Sequence, residues 1–242
     1  MVSIDAVYQK VLALANKEQR GYITPQEFNL FADHAQMEIF EQYFYDLNQF
    51  KRLPGNSTGH SDMATNLEEK ISFFERYDRV AEVTGQYGNV SLSDFSRFYR
   101  LQMVRVDYET NSGFVVAEEI QLNELQKYGT SPLGKWNKKR PVYTRYTNSM
   151  KVYPYPGLSA SSNDRVLISY VQKPLKPNWA YVVVNNKPLY NTTSAVDFEL
   201  HASEETELVY RILALFGIAI EKPQLTQIAA GLQGSQIQQE KQ

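Results

Sequence analysis

The hydrophobic pattern changes its period twice along this 242-residue chain, and no other feature limits the fold as much. Ile4, Val7, Val11, Leu12 and Leu14 follow helical spacing. Residues 21–28 then read Gly-Tyr-Ile-Thr-Pro-Gln-Glu-Phe. Thr24 is placed to cap a helix, Pro25 suits its first position, and Glu27 completes a capping box. From Phe28 onward Phe31, Ala32, Ala35, Ile39, Phe40, Tyr43, Phe44 and Leu47 recur at three- and four-residue steps. That pattern predicts a helix of about 27 residues, roughly 40 Å long, stopping near Leu53-Pro54-Gly55. Residues 56–62 read as an exposed loop and 63–77 as a third helix.

Between residues 79 and 200 the period falls to that of strands. Alternating or short apolar runs predict strands over 98–108, 142–146, 166–171, 181–184 and 196–200, with a short helix over 120–128. Turn residues punctuate them at 85–89, 111–113, 154–163, 174–178 and 185–186. Beyond them Ser203 reads as a helix cap, with Glu204, Glu205 and Glu207 favourably placed against the helix dipole. Leu208, Val209, Ile212, Leu213, Leu215 and Phe216 give that helix a broad apolar face. The Gln-rich stretch from Pro223 has few large apolar residues, and reads as a marginal helix or a segment that a partner orders. The expected fold class is α+β: residues 1–78 and 201–242 form a helical bundle, and 79–200 are inserted as a mainly antiparallel β domain with long loops.

Much chemistry is absent from the sequence. There is no Cys, which removes disulfides, thiolate metal sites and cysteine nucleophiles. The three histidines, His34, His60 and His201, are not at metal-ligand spacing. Residues 16–27 align with a calcium-binding EF-hand loop through Asn16, Glu18, Gly21, Ile23 and Glu27, but Arg20 stands where an oxygen ligand is needed. The same residues are better explained as a helix start. The carboxylate pairs Glu68-Glu69, Glu118-Glu119 and Glu204-Glu205 are adjacent in sequence, so their side chains point apart and read as solvated surface charge. No nucleophile elbow, phosphate loop or dinucleotide fingerprint occurs. No catalytic, cofactor-binding or metal-binding residue is expected, and the chain is not expected to be an enzyme.

The longest near-apolar run, residues 212–220, is far short of the roughly 20 residues that span a bilayer, so no membrane association is expected. Met1 is followed by Val-Ser-Ile-Asp rather than a basic stretch and an apolar run. The chain is therefore expected to be cytoplasmic where it is made.

The net charge of −2 conceals a partition. Residues 1–124 hold 11 basic and 19 acidic groups, 125–196 hold 11 and 1, and 197–242 hold 3 and 7. Within the positive stretch Lys135, Lys138, Lys139, Arg140, Arg145 and Lys151 alternate with Trp136, Tyr143, Tyr146 and Tyr153. Basic residues interleaved with aromatics suit contact with nucleic acid or another polyanion, and also suit a solvated surface that balances acidic helices of the same or a neighbouring subunit. The 17 tyrosines point the same way, because Tyr is favoured at subunit interfaces. Tyr43-Phe44-Tyr45 cannot all face one side of a helix, so part of that set is expected to meet a second surface.

Residues 21–44, GYITPQEFNLFADHAQMEIFEQYF, and 197–213, DFELHASEETELVYRIL, resemble neck proteins of tailed bacteriophages of the crAss-like and marine podovirus type. The resemblance covers about a sixth of the chain. It implies a head-to-tail connector, a neck ring or adaptor protein of the virion that sits below the portal and joins it to the tail. Such proteins combine a helical bundle from both chain ends with an inserted β domain, and assemble as rings of about twelve copies around the DNA channel. The implied partners are the chain itself, the portal, further neck or tail proteins, and the DNA that passes during genome ejection. The segment matching the portal-docking end of the family carries Pro223, Leu225, Ile228, Leu232 and Ile237. The alternative from the residues alone is a nucleic-acid-binding accessory protein using the basic aromatic block 135–151.

Overall fold

The computed structural model describes residues 1–16, 23–52, 58–84, 88–108, 113–156, 164–219, 231–232 and 234. In chain order it begins with helices α1 (Ile4–Asn16), α2 (Pro25–Arg52) and α3 (Thr58–Ser72). Six strands follow: β1 (Glu75–Ala81), β2 (Val83–Thr84), β3 (Asn89–Ser91), β4 (Phe98–Asp107), β5 (Val115–Val116) and β6 (Glu118–Glu119). Helix α4 (Leu122–Thr130) leads to β7 (Val142–Arg145), β8 (Ser149–Tyr153) and β9 (Arg165–Gln172). Then come β10 (Tyr181–Val184), β11 (Lys187–Tyr190), a 3-10 turn over Ala202–Glu204, and α5 (Glu205–Ala219). The fold class is mixed α+β, with sheets that are mainly antiparallel.

Two compact units divide the chain. One comprises Met1–Phe73 and Pro174–Gln242, the other Phe74–Lys173. The second is inserted in the first, but its limits differ from the expected 79 and 200. At the entry, Phe74 is already tied to the sheet: its carbonyl accepts from the Gln172 amide at 2.8 Å, and Glu75 pairs with Val171. At the exit, residues 174–200 turn back to the helices. Asn29 Oδ1 accepts from the Trp179 amide at 2.7 Å, and the Trp179 indole donates to Asp5 Oδ1 at 2.9 Å. Gln36 donates to the Leu175 carbonyl at 2.7 Å. The predicted strand over 196–200 is replaced by isolated bridges, Asn178 with Val196 and Val2 with Phe198, because its partners are single residues on separate segments.

In the helical unit, the first turn of α2 forms a reciprocal cap. The Glu27 amide donates to Thr24 Oγ1 at 3.3 Å, while the Thr24 amide and hydroxyl donate to Glu27 Oε2 at 3.1 and 2.7 Å. The Thr24 hydroxyl first, and its amide second, hold the Glu27 carboxyl below the usual range. Thr24→Ala is therefore expected to cost about 1 kcal/mol. The depressed carboxyl contributes fully above its unfolded pKa, and its contribution is lost as pH falls through the folded value. The gap between variant and wild type should narrow in acid without vanishing, because the Glu27 amide bond to Thr24 does not titrate; thermal unfolding at about pH 7 and about pH 3 measures it.

The capping box explains the EF-hand-like stretch down to Ile23, while residues 17–22 lie outside those described. Phe28, Ala32, Ala35, Ile39 and Phe40 of α2, with Ile4, Val7 and Val11 of α1 and Leu208 and Ile212 of α5, are buried. Helix α5 packs on α1 and α2, and α3 packs on α2.

Three further expectations change. Helix α3 begins at Thr58 and ends at Ser72, earlier than the predicted 63–77 at both ends, because the chain joins the sheet at Glu75. Ser203 lies inside the 3-10 turn, and the cap is His201, whose Nδ1 accepts from the Ser203 amide at 3.3 Å. Glu204 is buried, not a solvated surface charge, with Lys70 Nζ 2.6 Å from its carboxylate. Burial is tolerated because the carboxylate is paired. Among the described residues, no helix is long and apolar enough to cross a membrane.

The inserted unit is built of two sheets, ordered β1-β9-β4-β5 and β2-β3-β8-β7-β6. The chain passes from one sheet to the other within a residue, between β1 and β2 at Glu82 and between β5 and β6 at Ala117. Val104, Val106, Val166 and Ile168 from the first sheet and Val90, Met150 and Val152 from the second share one core cluster. That is two-layer packing with strands bent around the corners. Strand β9 is buried along all but its first residue, which is why Val166-Leu-Ile-Ser-Tyr-Val171 is a near-continuous apolar run rather than an alternating one.

Candidate functional site

All six basic residues singled out from the sequence belong to the inserted unit. Four of them, Lys135, Lys138, Lys139 and Arg140, sit in the exposed connection from α4 to β7. Trp136 anchors that connection. A Cβ on Gly129 would lie 2.7 Å from its ring, so glycine at that position of α4 is what lets the indole lie close. Trp136 also lies against Tyr153, with ring centroids 5.3 Å apart, and Tyr153 against Tyr155 at 5.0 Å. The loop then folds on Asn137, whose Oδ1 accepts from the Lys139 and Arg140 amides, both at 2.9 Å. This Asx-type turn presents Lys138 and Lys139 at its tip.

The aromatic partners of the cations are mostly not their sequence neighbours. Lys138 Nζ stands 5.7 Å above the ring of Tyr108, a buried residue of the core whose hydroxyl donates to the Pro154 carbonyl at 2.7 Å. The Arg145 guanidinium lies 6.0 Å over Phe98. Only Lys151 uses a ring of the block, at 5.5 Å over Tyr146. Burial first, and the charge of Asp164 second, push the Tyr108 hydroxyl far above its ordinary range. Burial and then Glu119 do the same for Tyr143, which donates to Glu119 Oε2 at 3.1 Å. Both phenols therefore remain neutral donors.

Strand register separates the remaining cations. Arg145 pairs with Met150, a core residue, whereas Lys151 pairs with Thr144 on the opposite face of the same two strands. Arg140 is engaged with Glu118 at 3.2 Å. The block is thus spread over a loop tip and both faces of a sheet, not gathered into one stripe. Around Lys151 the pairing of β3 with β8 brings Asn89, Ser91 and Ser149 to a shallow open depression with Tyr146. Those polar neighbours were not legible beforehand, because long-range strand pairing assembles them.

Recounted by unit, the charge pattern softens. The inserted unit holds 14 basic and 10 acidic residues, net +4, and the helical unit 11 and 17, net −6. The boundary at Lys173 cuts the positive stretch and leaves Lys176 and Lys187 with the helices. Such a surface can attract a polyanion electrostatically and stack on flat groups, without grouping residues for a covalent step. Among the described residues, no three His, Asp or Glu side chains are grouped to hold a metal ion.

Of the second candidate segment, Pro223, Leu225, Ile228 and Ile237 lie outside the described residues, and Leu232 is an exposed helical residue. Compared with known families and with curated proteins, the chain matches none.

Proposed function

We propose that this chain is a virion structural protein of a tailed phage, a neck ring or adaptor that assembles below the portal and joins it to the tail. One observation carries the reading. The two blocks that resemble neck proteins, 21–44 and 197–213, are separated by more than 150 residues yet belong to the same unit. They also touch: Arg211 of α5 reaches Glu38 of α2 at 3.3 Å and bonds Gln42, and the Glu199 amide donates to Gln36 Oε1 at 3.1 Å. The α+β architecture, with both ends of the chain in the helical unit and a sheet unit inserted, agrees with it.

In this reading the positive inserted unit faces passing DNA or acidic groups of neighbouring subunits, and the segment with Pro223, Leu225, Ile228, Leu232 and Ile237 docks on the portal. The spread of Lys135, Lys139, Lys151 and Arg145 over several faces suits repeated, sequence-independent contact better than a single binding groove. No catalytic role is assigned.

The mass of the purified chain, alone and with its portal, tests the proposal. The expected result is a ring of about twelve copies with the portal. A chain that stays monomeric and never joins the portal rejects it.

A further inference from the structure

The β10–β11 hairpin stands out among the exposed features of the helical unit. Its two-residue turn, Asn185-Asn186, has φ of 50° and 58°, the type I′ geometry that matches strand twist. The register pairs Val182 with Leu189 and Val184 with Lys187, and these four side chains share one face. The opposite face carries Tyr181 and Tyr190, whose rings stack on Trp179 at 5.9 and 5.6 Å. Only the tyrosine end of that face is anchored, and Val183 on it is 60% exposed. On the other, Val182, Val184 and Leu189 are 52%, 45% and 54% exposed. An isolated two-stranded ribbon is marginal in water, and a bare apolar face adds a further liability.

The occupant is indicated by charge. From Arg165 to Val196 the chain has no carboxylate, and Lys187 sits at the hairpin tip. The same unit displays a stripe of opposite character on the outer side of α2. Leu30, His34, Met37, Glu41, Tyr45 and Asn48 recur at three- and four-residue steps, with Leu30 63% and Tyr45 62% exposed and His34 paired with Glu38 at 3.2 Å. This stripe, about 27 Å long from Leu30 to Asn48, offers apolar side chains with carboxylates from Glu27 and Glu41 beside them. Tyr45 is also the member of the Tyr43-Phe44-Tyr45 set that is turned furthest outward; Tyr43 is buried.

From these two surfaces we infer that the free face of the β10–β11 hairpin docks on the outer stripe of α2 in a second copy of this chain. A sheet face covering a helix stripe is an ordinary packing solution. Because the two surfaces are different patches of one unit, the contact is head-to-tail, and each copy uses both. Its closure into a ring rests on the connector reading above.

The absence of cysteine makes the test clean. Val184→Cys and Asn48→Cys are made in separate full-length chains, so every cross-linked product joins two chains. After mixing and treatment with a short bifunctional maleimide, the mixed 184–48 product should exceed the products of either variant alone about tenfold. Adding Lys187→Glu to the first chain should lower its yield about fivefold at low salt. Adding Glu41→Lys to the second chain should restore it. A mixed product no more abundant than the self-products overturns the inference, as does a yield unmoved by Lys187→Glu. A chain that joins the portal as a ring without the mixed product rejects this contact alone. A chain that gives the mixed product but never binds the portal rejects the connector and keeps the contact.

Discussion

Arg211→Ala is expected to destabilise the helical unit by about 3–5 kcal/mol. Arg211 is buried in α5, one turn beyond the equally buried Glu207, to which its Nε donates at 2.8 Å. Its other nitrogens reach Glu38 at 3.3 Å and Gln42, both on α2. Truncation removes the guanidinium that serves a buried carboxylate, so the cost is mainly the lost compensation of that charge. Arg211→Lys keeps the charge but loses the planar fork that serves three acceptors, and should fall between wild type and alanine. The double variant Glu207→Leu with Arg211→Met removes both charges and should cost much less than the sum of the single changes.

Urea unfolding can follow this unit by itself. The chain has two tryptophans, Trp179 in the helical unit and Trp136 in the inserted one, so a Trp136→Phe background leaves a single reporter. A loss below about 1 kcal/mol on Arg211→Ala would show that the group is screened by water and contributes like an exposed pair.

Trp179→Ala carries a comparable expectation, a loss of about 3–5 kcal/mol. The side chain is 2% exposed and lies 4.3 Å from Tyr8, besides the two hairpin tyrosines. Its removal opens a cavity, deletes the bond to Asp5, and withdraws the platform under the hairpin. Amide hydrogen exchange over Tyr181–Tyr190 should become fast, while the inserted unit keeps its protection. Trp179→Phe retains most of the packing and should cost about 2 kcal/mol, chiefly through the lost bond to a carboxylate. Unchanged hairpin protection in the alanine variant would mean that the ribbon is held by something other than the ring stack.

Features with local causes were legible in the sequence. The start of α2 depends on Thr24, Pro25 and Glu27, all within four residues, and its length on a periodicity that needs no partner. Strands β4, β9 and β10 lie close to where alternation and apolar runs put them. What was not legible depends on distant partners. Nothing around residues 174–200 announces that Trp179 bonds Asp5 and Asn29, or that Leu175 is held by Gln36, so alternation alone places the segment with the sheets. Glu204 reads as a solvated acid because Lys70, which neutralises it within the core, leaves no local mark, and Glu207 reads only as a first-turn acid although Arg211 follows four residues on. The basic block looked continuous because Arg145 and Lys151 are close in sequence, and only register shows that they face apart.

The bond between Phe74 and Gln172 also bears on the order of folding. Seen from the helical unit, the insertion is a loop of about 100 residues that must be closed before α2 can meet α5. Once the insertion has folded, its ends lie side by side on paired strands and it acts as a connection of a few residues. Closing the shorter loop spares about 3 kcal/mol of chain entropy. The sheet unit is therefore the natural first step, and the two distant helical segments condense across a gap that it has already shut.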